Sequence, residues 1–211
     1  MITKFLKSPI RFLCNTSESG KTHLLFEGLW QHWGFYFTLC TSPDCIGSED
    51  LKWVLWELES HHILSQAMNE NMETMQLWKW LIVCEWFLTL LLAHMFILHV
   101  FLQCALMQPG GITEAHKGCW LLFQVAPTVL LEGDDIFIAA LLIVQNMSNS
   151  SIQTQFQYKY EIVLSLLGKS QTWLFCVLDK VQGPAKQLDG YFGSELVVLA
   201  GWPVFSVTLG T

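Results

Sequence analysis

Ser19-Gly20-Lys21-Thr22 is the first place where residue type and spacing suggest chemistry. A P-loop has the form GxxxxGK[ST]. Its glycine-rich turn aims backbone N–H groups at phosphate, and its Lys and hydroxyl reach the phosphates and magnesium. Here Asn15 stands where the first glycine belongs. No catalytic partner motif is visible either, so the match reads as coincidence. A soluble nucleotide-binding protein using Gly20, Lys21 and Thr22 is a function to be tested, and we expect no ATP or GTP binding from it.

Other chemistry-bearing residues fare no better. His94 and His99 are separated by about 140° around a helix, so they do not share a face as a pair of metal ligands must. His61-His62 adds no spacing that helps, and we expect no metal and no cofactor. Glu132, Asp134 and Asp135 cluster within an apolar run. Inside a membrane they would form a proton or cation site, and outside it a solvated turn. The seven cysteines are scattered without a CxxC pair, which excludes a zinc framework. Cys84, Cys104 and Cys119 lie in apolar runs and behave as small hydrophobes. No Ser/His/Asp or Cys/His arrangement stands out, and the chain reads as non-enzymatic. Three N-glycosylation sequons begin at Asn15, Asn146 and Asn149.

The elements that must position these residues are dominated by hydrophobicity. Of 211 residues, 52 % are hydrophobic and 14 % charged, against about 25 % charged in ordinary soluble domains. Ten tryptophans add to the picture, since Trp favours the water–lipid interface. Net charge is -7, which excludes a basic footprint for nucleic acid. The N-terminus carries basic residues without an apolar core, so no signal peptide is expected.

Residues 1–76 read as an extramembrane region: polar turns, then the aromatic block GLWQHWGFYF, then a polar stretch of helical composition. Phe35 to Leu39 has strand-like composition. Residues 77–211 read as the transmembrane region, with candidate spans at 78–107, 119–145 and 195–211. From Trp86 to Met107 the only polar side chains are Thr89, His94, His99 and Gln103. About 20 helical residues cross the hydrocarbon core, and Pro109, Gly110 and Gly111 end the helix. The second run is long enough to span but carries the acidic cluster: it is either a span with acidic residues facing a bundle interior or two short half-segments meeting at the Gly133 turn. If the first two runs both span, all three sequons fall on one side. The expected fold is mainly α, a membrane helical bundle of two to three transmembrane helices. A short β-rich extracellular region would precede the first.

Gly28-Leu29-Trp30, followed by Cys40 and Cys45, resembles the first extracellular loop of the claudin/PMP22 tetraspan superfamily, whose signature is GLW and two cysteines. The resemblance implies a Cys40–Cys45 disulfide, Trp30 as a packing aromatic, and a small extracellular β-sheet carrying the motif. It also implies a role in cell contact or membrane organisation, with the lipid bilayer, other membrane proteins or copies of itself as partners. The location would be the plasma membrane or endoplasmic reticulum. This chain departs from the pattern: the family's first transmembrane helix and its upstream Trp are missing. Lys4, Lys7, Arg11, Lys21 and Lys52 precede the long apolar run and only Lys117 lies in the loop after it. The positive-inside rule then keeps the N-terminus cytosolic, where cysteines stay reduced. Two alternatives follow: a small transporter or channel subunit using the acidic cluster, or a truncated or non-functional open reading frame product.

Overall fold

The computed structural model describes residues 11–13, 21–39, 46–60, 72–168, 173–179 and 205–210. In chain order they form β1 (Arg11–Leu13), α1 (Lys21–Gln31), β2 (Gly34–Thr38), α2 (Asp50–Ser60) and α3 (Met72–Leu106). There follow α4 (Glu114–Val125), α5 (Pro127–Leu130), α6 (Ile136–Val144), α7 (Asn149–Leu167), β3 (Leu174–Asp179) and β4 (Phe205–Gly210). The protein is mostly helical, as its composition implies. Its strands are brought together from both ends of the chain.

The four strands make one sheet in the order β1-β4-β3-β2, and every neighbouring pair is parallel. Parallel strands need crossovers and are covered on both faces. Alternate side chains of β2 and β3 accordingly enter two different cores. Phe35, Phe37, Leu174, Cys176 and Leu178 join the main core with α3. Tyr36 and Val177 join a second core with Leu25 and Leu29 of α1 and Leu121 of α4. Gly34 is required at the β2–β3 contact, because a Cβ there would sit 1.8 Å from the Phe175 carbonyl oxygen.

Along this chain β2 is an edge strand, with free backbone groups on its outer side. α4 closes that edge with two side chains one turn apart. Gln124 Oε1 accepts from the Tyr36 N–H at 2.9 Å, and Trp120 Nε1 donates to the Gly34 carbonyl at 2.7 Å. Gln124 Nε2 also donates to Gly34 O at 3.3 Å. A buried amide thus replaces the missing neighbour strand.

α3 is apolar all round, which predicts burial on all sides or a bilayer. It runs along the main core and packs chiefly against α7 and α6. Leu81–Leu106 is the one helical stretch among the described residues long and apolar enough to cross a membrane, and 61 % of its most apolar window is buried against the rest of the protein. Two of its polar side chains, His94 and Thr89, are hydrogen-bonded within that protein, while His94 Nδ1 is buried without a partner among the described residues. His94 is fully buried and hydrogen-bonds Asp50 at the start of α2 at 2.5 Å. Thr89 donates back to the Glu85 carbonyl at 2.8 Å. Asp50 Oδ1 accepts from the Leu51 N–H at 2.7 Å, so both carboxylate oxygens are used.

The expected second span, 119–145, is not one helix. It divides into part of α4, then α5, then α6. The break has local causes. Pro127 cannot continue α4, and Asp135 caps α6 by accepting from the N–H groups of Phe137 and Ile138 at 2.9 and 3.3 Å. Glu132 and Asp134 are exposed in the intervening turn. The expected third span, 195–211, contains strand β4, and its residues before Phe205 lie outside the described residues. Among the described residues, one of the two to three expected spans is present as a long apolar helix, and the other helices accompany a parallel sheet.

Candidate functional site

In open parallel sheets ligands bind beyond the carboxyl ends of the strands. Three features converge there. β1 ends at Leu13 and α1 begins at Lys21, so the seven residues 14–20 join a strand directly to a helix. A strand running through a short connection into a helix is the order in which a P-loop occurs. The SGKT motif straddles the junction. Ser19 and Gly20 lie outside the described residues, while Lys21 and Thr22 open α1.

The second feature is register. Leu13 of β1 is paired with Gly210 of β4, and Leu178 of β3 with Leu209. Asp179, one residue further, therefore reaches the same level of the carboxyl edge as the end of β1. One strand separates them.

The third feature is a side-chain contact. Thr22 Oγ1 donates to Asp179 Oδ2 at 3.3 Å. Tyr36 on β2 donates its phenolic hydrogen to the same oxygen at 3.0 Å. Asp179 is buried at 4 % exposure and Tyr36 at 1 %, so the carboxylate is held in a protein-lined position. Burial, followed by the Asp179 charge and hydrogen bond, pushes the Tyr36 hydroxyl well above the ordinary tyrosine range, which keeps it a donor.

A hydroxyl at the first turn of a helix and a carboxylate at a strand end are hard oxygen donors. Mg²⁺ takes one or two carboxylates plus substrate phosphates and keeps several waters. A two-residue set of this kind fits it, and an all-protein cage is not needed. No group of three or more His, Cys, Asp and Glu side chains suited to a metal occurs among the described residues.

The residues singled out in the sequence are distributed elsewhere. Gly28, Leu29 and Trp30 lie within α1, where GLW acts as a helix-packing motif. A Cβ on Gly28 would meet the Phe175 ring at 2.6 Å, Leu29 is buried in the second core, and Trp30 is 57 % exposed. Cys40, Cys45, His61, His62 and Asn15 lie outside the described residues. Asn146 and Asn149 are exposed at the turn into α7. Of the two helix histidines, His94 meets Asp50, while His99 Nδ1 is 3.0 Å from Lys159 Nζ. Asp179 and Tyr36 were missed by sequence reasoning. The available signal was Leu174-Phe175-Cys176-Val177-Leu178-Asp179, an apolar run ending in a carboxylate.

Compared with family models, curated proteins and solved structures, the chain matches none.

Proposed function

We propose that this protein binds a nucleoside triphosphate together with Mg²⁺ at the carboxyl edge of its parallel sheet. The observation that carries the reading is the approach of Thr22 to Asp179, 3.3 Å between residues 157 positions apart. P-loop proteins hold Mg²⁺ with the Ser or Thr that follows the motif lysine and with an aspartate on another strand. Lys21, which opens α1, brings a positive charge, and the N-terminus of α1 would donate to phosphate oxygens. Thr22 and Asp179 would hold Mg²⁺, which would supply positive charge against the phosphates.

The test is binding of a fluorescent ATP analogue to the purified full chain. We expect saturable binding that Lys21→Ala weakens by at least about tenfold, the loss of one charge-assisted contact. Lack of binding by the folded protein would end the reading.

A second reading is favoured by one observation, the length and apolarity of Leu81–Leu106. On it the chain is an integral membrane protein of claudin/PMP22-like character, acting in cell contact or membrane organisation. Insertion of that helix would have to separate His94 from Asp50 and strip α6 and α7 from α3. Resistance of the protein to alkaline carbonate extraction from membranes, with glycan on Asn146 or Asn149, would favour this reading over the first.

A further inference from the structure

We infer that Tyr36 is a positioning residue for the Asp179 carboxylate, holding it in the orientation that receives Mg²⁺; this rests on the nucleotide reading of the same site. Two hydroxyls converge on Asp179 Oδ2, from two different elements. Thr22 comes from the head of α1, on the phosphate side, and is itself a metal ligand in the proposed site. Tyr36 comes from the neighbouring strand β2, and its hydrogen bond is formed with no nucleotide present.

Tyr36 is itself fixed. Its backbone N–H donates to Gln124 of α4 at 2.9 Å. Its ring meets Phe26 of α1 edge-on at 5.3 Å. Gly47 comes so close that a Cβ there would lie 2.9 Å from the ring. A donor with so little freedom sets the carboxylate plane without further ordering cost. Such outer-shell partners of metal ligands matter measurably, since their loss weakens metal binding about 10- to 100-fold.

The experiment is a Mg²⁺ titration of fluorescent-ATP binding to the full chain, with Tyr36→Phe beside wild type and a parallel measurement in EDTA. Expected is a Mg²⁺ requirement raised about 10- to 100-fold in Tyr36→Phe, with affinity in EDTA unchanged. Wild type without Mg²⁺-dependent binding would overturn the site reading itself. Wild type with such binding, matched within about twofold by Tyr36→Phe, would overturn only the role of Tyr36. Equal weakening in EDTA would also overturn it, as the mark of a merely structural residue. Should Tyr36→Phe not fold, 3-fluorotyrosine at position 36 keeps the hydroxyl. Its ¹⁹F resonance should move with Mg²⁺ and ATP but not with ATP in EDTA, and an unmoved resonance overturns the inference.

Discussion

Thr22 and Asp179 meet at 3.3 Å across 157 positions of chain, and almost all the described helices lie between them. The sheet explains how. The chain leaves β1 through α1 to the far edge strand β2, passes through α2 to α7, and returns as β3 and then β4 between the two. The long helical block is an insertion between neighbouring parallel strands. Its α4 reaches back to seal the edge of β2. Asp179 and Tyr36 are thus held by the sheet and Thr22 by the first turn of α1.

The edge seal gives a stability prediction. Gln124→Leu removes the acceptor of the buried Tyr36 N–H and leaves that donor unsatisfied. A loss of about 1–3 kcal/mol is expected, read from urea unfolding. A change below about 0.5 kcal/mol, typical of exposed surface sites, would show that water or a neighbouring group replaces the amide.

The buried Asp50–His94 pair predicts a particular pattern of non-additivity. His94→Leu strands a carboxylate that is 1 % exposed, and Asp50→Leu strands the imidazole. Each is expected to cost about 3–5 kcal/mol. The double replacement by leucine should cost less than the sum, since neither partner is then left alone. Additive losses would mean that the two groups do not stabilise each other.

Tyr36 predicts an alkaline signature. Its folded-state pKa is raised by burial first and by Asp179 next. The stability tied to its neutral form is therefore complete below the ordinary tyrosine value of about 10 and is lost as pH rises above it. Wild type should lose about 1.4 kcal/mol per pH unit above that point relative to Tyr36→Phe. Parallel pH profiles for the two proteins would contradict the assignment.

Several elements were legible in the sequence, and the reasons are local. Phe35 to Leu39 reads as a strand from its aromatic composition, and β2 is there. The apolar run through His94 reads as one long helix, and α3 ends before Pro109 and Gly110 as a Pro-Gly break requires. What surrounds that helix was not legible, because an all-apolar helix has the same composition in a protein core as in lipid. The interruption of 119–145 was open in the sequence as two half-segments meeting at Gly133, and Pro127 and the Asp135 cap place the breaks on either side of that turn. The proposed site was hidden for a different reason. Its aspartate and its threonine are brought together by the parallel sheet and the helix after β1, which leaves no pattern in local spacing. Asp179 looks like any polar residue after an apolar run until β3 is set beside β4 and β2. Likewise GLW suggests a loop motif by its letters, while Gly28 and Leu29 serve the packing of α1 on the sheet.

The most direct test of the proposed site is a double-mutant cycle on Mg²⁺-ATP binding by calorimetry, using Thr22→Ala, Asp179→Asn and both together. If the two side chains hold one Mg²⁺ ion, each single variant weakens binding in Mg²⁺, neither does so in EDTA, and the double variant is little worse than either single one. Additive losses, or variants that bind Mg²⁺-ATP as wild type does, would contradict a shared metal site at the end of β3.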